Sequence, residues 1–594
     1  MIVDTFAPQL SLVRLQQMLV EFGAVNVLLA IVSVAVAALV VDYARMLYLR
    51  SRMPPGPFPL PIVGNTFSLP KNKPWIYFEE LSEYYKAPLI TFWIGRNPTV
   101  WINDAWCAHE ILEKKAQIYA SRPRMVVFGE LGTGQSNLVT MRVRNNEERE
   151  HWRVHRKLMH LGVGIQAVRR YRDVQNNESK VVALDFLREP TEYVKHLERY
   201  ATSVVSVLAF GRRVANYNDP IITEVIALMH LAADLNVPGK SFPMLLETFP
   251  ILAKFPRWAP WFRGIGNRGQ KGGHYFFHTL AEEAVEQRNN KADHEKIGQP
   301  TPFAETLRTE AGKYSLSTEE LSSLTGNLFG AGSDTSSSTL ITFILACCAF
   351  PGPMKKAQEE IDRVIGSQRS PDWDDHDSQS LPYVNALVKE VLRWRSVAII
   401  GGQPHSPTQD DYYKQWFIPA GAWVQGNVWA IHHNEREFPN PDNFEPERFI
   451  KGSKHARPFP GDRGYMTFGW GRRVCSGQAL AEQGVWITIA RLLWAYNITK
   501  YRDPKTGVEE DVDIFAFTNG LNMRPEVFRC SIEPRSEEIR ETLVREGQQA
   551  LIDLKPLDGE SKYRMSTFYQ EQRRAVAEEP VFDEQGNLKV VKVK

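Results

Sequence analysis

The chain has 594 residues, 71 basic against 69 acidic, for a net charge of +2, and its composition is ordinary for a globular protein. That balance gives no argument for nucleic acid as a partner, and the length exceeds one small domain while admitting one large α-rich domain with appendages. Five scattered cysteines (Cys107, Cys347, Cys348, Cys475 and Cys530) argue against a disulfide framework and for a reducing compartment, leaving at least one thiol free to ligate.

Residues Phe22 to Val41 form an uncharged apolar run of 20, bracketed by Glu21 and Asp42. This predicts one membrane-spanning helix over 22–41, since a cleaved signal core is shorter, roughly 7–15 residues. Arg45, Arg50 and Arg52 follow, so residues 1–21 are expected in the lumen and the bulk of the chain in the cytosol. The stretch 42–57, ending in Met53-Pro-Pro-Gly-Pro57, reads as a basic, proline-rich linker.

Leu89–Ile94 and Thr99–Ile102 flank Gly-Arg-Asn-Pro and predict a β-hairpin, after which Asn103 is expected to cap a helix to about Lys114. Met125 to Thr140 lacks periodicity and reads as a loop. Trp152 and Arg156 stand four residues apart, on one helical face, where both could reach the same ligand. Arg149, Arg153 and Lys157 on the same helix, with Arg472, predict a basic patch for an acidic redox partner. Residues 242–262, rich in Phe, Trp and Pro, predict either a second membrane contact or a packed loop.

Ser317-Thr-Glu-Glu320 is a capping box opening a helix to about Phe350, long enough to cross a domain at about 48 Å. Its middle reads Gly330-Ala-Gly-Ser-Asp-Thr-Ser336. Two glycines there cost about 1 kcal/mol each relative to alanine, which suggests that something approaches closely. The bland alternative is a packing notch between helices. Further on, Glu390 and Arg393 form an i, i+3 pair, Pro446-Glu-Arg448-Phe follows, and a lone His405 lies between them. The stretch Phe468-Gly-Trp-Gly-Arg-Arg-Val-Cys-Ser-Gly477 has three glycines that let amides approach one sulfur, and a helix-forming run follows it. Cys475 thus stands at a helix N-terminus that favours a thiolate, and Arg473 points to its side, suited to an acidic group of a ligand.

Phe-x-x-Gly-x-Arg-x-Cys-x-Gly, matched at Phe468, Gly471, Arg473, Cys475 and Gly477, resembles the haem-ligating signature of the cytochrome P-450 superfamily. Ala331-Gly-x-Asp-Thr335 resembles its oxygen-activation motif, and the resemblance covers about Pro54 to Pro534. It implies the cytochrome P-450 fold, mainly α with a small β-rich subdomain, here preceded by a single transmembrane helix. It further implies haem b with Cys475 as axial ligand of the iron, and Ala331, Phe468 and Gly477 in contact with the cofactor. Trp152, Arg156, Arg473 and His405 would stand at the propionates. Thr335 would hydrogen-bond dioxygen, Asp334 would relay protons, and Glu390, Arg393 and Arg448 would form a structural network. Electrons would come from NADPH through a separate flavoprotein reductase, with cytochrome b5 as a further donor, because the residues after Cys475 are too few for a reductase of two domains.

Met125 to Phe128, Phe329, Val397 to Ile400 and Phe517 are almost free of charge and predict a neutral lipophilic substrate. The texture resembles fungal microsomal secondary-metabolism members that oxidise aromatic or polyketide intermediates, which implies an endoplasmic reticulum location. Two other readings stay open: a reductase-independent haem-thiolate isomerase or dehydratase, against which the intact Asp334-Thr335 pair argues, and a non-enzymatic haem-binding protein. The expected catalytic domain is 58–557, followed by a charged extension over 558–594 with no functional reading.

Overall fold

A computed structural model describes residues 8–236, 246–254, 271–292, 299–520 and 522–561. Among the described residues helices dominate, and three small sheets are added to them. The expected hairpin is present: β1 (Leu89–Ile94) pairs antiparallel with β2 (Asn97–Ile102) in the register Leu89 to Ile102. β2 is joined on its far side, in parallel, by Trp423–Gly426. The helix after the hairpin is capped by Asp104, whose carboxylate accepts the Cys107 amide, and not by Asn103, which accepts instead from the Asn427 side-chain amide at 2.8 Å. A carboxylate is the stronger acceptor for an amide at a positive helix terminus.

The N-terminal helix is longer than expected. It runs from Pro8 to Arg52 without a break, and its stretch Val25–Arg52 contains an 18-residue apolar window of mean hydropathy 2.5, none of it buried. Residues 42–52 are therefore a docked helix end and not a linker. No breaker precedes Pro54, and Met46 and Met53 bury themselves with Leu89, Trp93 and Val100 of the small sheet. Asp42 pairs with Arg96, and the Tyr43 hydroxyl donates to the Pro59 carbonyl at 3.0 Å.

The long central helix spans Thr318–Ala349, 32 residues, and opens with Ser317 and Glu320 in a reciprocal capping box. It packs against the helix Tyr193–Phe210, itself buried almost throughout. Gly332 marks that crossing, since a Cβ there would lie 2.4 Å from Val205 Cγ1. Gly330 likewise faces Met229 Sδ at 3.0 Å. The glycines thus let another helix come close, and the packing alternative is the correct one for them. Phe329 lies in the same core, edge-on to Phe210 at 5.3 Å and fully buried, so it is not a pocket wall.

Past residue 534 a further helix, Glu537–Leu554, lies on the helix Arg172–Arg188 and buries Ala550 and Leu554 against Val181. The body continues beyond 557: Asp558 pairs with Arg213 at 3.1 Å, and Ser561 donates to Glu283 at 2.7 Å. Most of the aromatic stretch 242–262, and the tail from 562, lie outside the described residues.

Candidate active site

The sulfur loop is built by two left-handed glycines, Gly469 at φ +75° and Gly471 at +54°. At Gly471 a Cβ would lie 2.5 Å from the Leu112 carbonyl oxygen, while the Gly471 amide donates to Glu113 at 2.6 Å. Gly477 has φ −89° and is the N-cap of the helix Gln478–Ala495, so its expected left-handed geometry is absent. The Cys475 amide donates to the Phe468 carbonyl at 2.9 Å, closing the loop over the thiol. Cys475 is surrounded by protein on its loop side, which pushes its thiol pKa up, although the Gly477 amide and Arg156 oppose that shift. Its side chain is nevertheless accessible to solvent. The helix N-terminus therefore does not by itself produce a thiolate, and a bound metal is what would deprotonate this sulfur.

Around the loop stands a cluster of basic groups. Arg473 donates to the carbonyls of Ala120 at 2.6 Å, Leu138 at 3.2 Å and Met141 at 2.6 Å, and its guanidinium lies 4.5 Å over the Trp152 ring. Arg122, buried, donates to the carbonyls of Val139, Gln403 and Pro404. His405, also buried, donates from Nδ1 to the Tyr119 carbonyl at 2.9 Å, leaving Nε2 without a proton. Arg156 holds the loop directly, donating to the Ser476 hydroxyl at 2.7 Å and the Val474 carbonyl at 2.5 Å. Trp152, four residues earlier on the same helix, carries the Arg473 guanidinium over its ring.

Burial lowers the pKa of all four groups: Arg122 to about 9, with repulsion from Arg156; Arg473 well below its ordinary value, with repulsion from Arg122 and Arg156; His405 below its own, against both Arg122 and Arg473; and Arg156. Among the described residues no carboxylate is paired with any of the three arginines. Burying guanidinium groups without counter-ions is expensive, so the donor set calls for an anionic ligand. A planar group with two carboxylates over a thiol, as haem is, fits it. Arg122 was missed in the sequence because nothing near it in the chain carries the signal; it meets the others only through folding.

On the other side, Ala331 is exposed and Thr335 half-buried, with the Thr335 hydroxyl donating to the Ala331 carbonyl at 2.7 Å. Asp334 is buried and accepts from the Asn522 amide at 2.7 Å, which ties the central helix to the turn after Phe517. Phe468 is half-buried beside Tyr465, their rings 6.3 Å apart.

Glu390, Arg393 and Arg448, the three residues of the network that the resemblance implies, lie together. Glu390 accepts from Arg393 through both oxygens at 2.7 and 2.8 Å, and Arg448 approaches at 3.5 Å. Arg393 also donates to the His432 carbonyl, and His432 Nε2 accepts the Met466 amide at 2.9 Å. The network thereby reaches the start of the sulfur loop through a histidine that sequence reasoning did not single out.

An apolar cleft lies between the helices Pro220–Asn236, Gly273–Asn290 and the central helix. Phe128, Leu228, Met229, Leu235, Phe277 and Asn327 are among its walls. Of the predicted pocket segments only Phe128 contributes to it. The stretch 125–140 is not wholly loop, because Val126–Gly132 forms a wide helical turn whose first amides, Val126 and Val127, donate to the Glu247 carboxylate at 3.1 and 2.9 Å.

The sequence model of the cytochrome P-450 family matches residues 54–520 of this chain. The chain belongs to the cytochrome P-450 family. It is 34% identical over 498 residues to cytochrome P-450 monooxygenase 58 of Postia placenta, covering 82% of this chain and 90% of that one. It is 32% identical over 514 residues to cytochrome P-450 monooxygenase fogE of Aspergillus ruber, with 86% and 92% covered. It is also 31% identical over 516 residues to cytochrome P-450 monooxygenase yanC of Aspergillus niger, with 84% and 93% covered. The protein is thus an oxidoreductase of the monooxygenase type, and the family implies a haem-iron cofactor, a small-molecule substrate and a redox partner. The cytochrome P-450 match stops at 520, so the helix Glu537–Leu554 lies beyond it.

Proposed function

We propose that this cytochrome P-450 is a membrane-anchored monooxygenase of a neutral lipophilic small molecule, of the aromatic or polyketide type, with Cys475 as the axial ligand of haem iron. The observation that carries the reading is the basic cluster of Arg122, Arg473 and His405 beside Cys475, the most exposed of the described cysteines. Haem held there through the Cys475 sulfur would supply the chemistry of dioxygen activation, which a thiolate ligand favours.

The chain's own residues bind and orient. Arg122, Arg473 and His405 receive the carboxylates, and Arg156 fixes the loop by holding Val474 and Ser476. Thr335 releases its bond to the Ala331 carbonyl and turns its hydroxyl toward the reacting centre, while Asp334, oriented by Asn522, replenishes the proton. The apolar cleft at Phe128, Leu228 and Phe277 admits an uncharged substrate and excludes water.

Electrons come from NADPH through a separate flavoprotein reductase that docks on the face carrying the exposed Arg153, Lys157 and Arg472. The helix Val25–Arg52 anchors the protein in the endoplasmic reticulum membrane with the catalytic body cytosolic. The test is Cys475→Ala. It abolishes the red-shifted Soret band of the reduced carbon monoxide complex, and retention of that band would remove the ligand assignment.

A further inference from the structure

Helix Asn146–Val163 presents two histidines one turn apart, His151 and His155, toward the start of the central helix. Both face Glu320. His151 Nε2 lies 2.8 Å and His155 Nε2 3.6 Å from the same oxygen, Glu320 Oε1, and the three ligand atoms all fall within 4.8 Å of one another. The other oxygen, Oε2, is occupied by the capping box, where it accepts the Ser317 amide at 2.8 Å and hydroxyl at 2.9 Å. One carboxylate oxygen is thus left to the histidine pair.

His155 carries the second, independent observation. Its side chain is fully buried, and Nε2 has no hydrogen-bond partner. Its Nδ1 faces the His151 carbonyl at 3.0 Å, which accepts only, so the ring proton sits on Nδ1 and Nε2 presents a lone pair. That lone pair lies 3.6 Å from a carboxylate oxygen, which also carries lone pairs. Two acceptors aimed at each other in a buried place repel unless something positive lies between them. A metal ion satisfies both.

The spacing suits one. Ligand atoms at about 2.0–2.1 Å from zinc in a tetrahedron stand about 3.3 Å apart, between the two short separations seen here. Imidazole nitrogens with a carboxylate select late first-row divalent ions. We propose that His151, His155 and Glu320 bind such an ion, zinc above all, with the fourth coordination position open to water beside the exposed His151. The ion pins the helix that carries Trp152 and Arg156 to the first turn of the central helix. It is separate from the haem iron and does not depend on the assignment of Cys475.

The experiment uses full-length holoprotein in detergent, stripped by chelator and equilibrated with zinc chloride alone. Bound zinc is counted after desalting, and the zinc absorption edge reports the ligand atoms. Wild type is expected to hold one zinc per chain, with a nitrogen and oxygen shell showing imidazole scattering and a raised thermal midpoint. His151→Ala, at an exposed position, and Glu320→Gln, which keeps a capping-box acceptor, are each expected to weaken zinc binding at least tenfold and to erase the thermal gain. Equal retention by wild type and both variants, a sulfur-containing shell, or no retention at all would overturn the proposal. His155→Ala is the stricter variant, but its burial makes folding uncertain, so the other two decide.

Discussion

Replacing Glu390 by glutamine tests the buried network in a way that separates it from ordinary surface pairing. Glu390 and Arg393 are both fully buried, the contact is bidentate, and the same carboxylate accepts the Glu445 amide at 2.9 Å. At a surface such an i, i+3 pair is worth a few tenths of a kcal/mol. Here the variant keeps the volume but leaves the guanidinium groups of Arg393 and Arg448 facing a neutral amide, and breaking a buried pair from one side costs about 3–5 kcal/mol. Unfolding entropy near 2.1 cal/mol/K per residue gives about 1 kcal/mol/K for a body of about 500 residues, so the midpoint should fall by about 3–5 °C. Arg393 is bonded to the His432 carbonyl, and His432 holds the Met466 amide, so haem retention on heating should fall with it. The assay is thermal loss of the Soret band at a fixed scan rate, alongside the same scan by circular dichroism. A midpoint within about 1 °C of wild type would refute the reasoning, because that is the response of an exposed pair.

Gly332→Ala should destabilise the fold by up to about 2 kcal/mol, since overpacking against Val205 at about 1–3 kcal/mol exceeds the propensity gain of about 1. Adding Val205→Ala should restore part of the loss, and a double-mutant cycle without coupling would show that the glycine serves something other than this crossing. Thr335→Ala should uncouple NADPH use from product and raise peroxide release; fully coupled turnover would exclude the proton role. Burial raises the Glu247 pKa from the ordinary 4.5 to about 7, so the folded state holds a proton the unfolded state has lost, and stability falls as pH rises through that window. Glu247→Gln removes this penalty: its midpoint should gain on wild type between pH about 5 and about 8, and a constant difference across that range would count against the assignment.

How much was legible beforehand depended on whether the signal was local. The capping box at Ser317 and Glu320 needs only four neighbouring residues, and the hairpin needs only two apolar strands around a turn, so both were found where expected. The anchor was recognised, but its length was not: Pro54 marks the true end of the helix, and the docking of Met46 and Met53 that secures its last turns depends on a sheet about 40 residues away. Phe329 reads as a pocket residue, and the two glycines of the central helix read either as a ligand's approach or as a packing notch, because small and apolar residues suit both a ligand and a neighbouring helix. The neighbour decides, and composition does not contain it.

The sequence alone determined the chemistry that this cytochrome P-450 can carry. One thiol in a glycine-shaped loop, a hydroxyl and a carboxyl on a long helix, and an apolar N-terminal run are all encoded over a few contiguous residues. Only the tertiary structure decided which charges share a space. It brought Arg122 to Arg473 from far along the chain, gave Arg156 to the sulfur loop, and set His155 against Glu320. Electrostatic energy depends on distance through space and on exclusion of water, and neither quantity can be read along a chain.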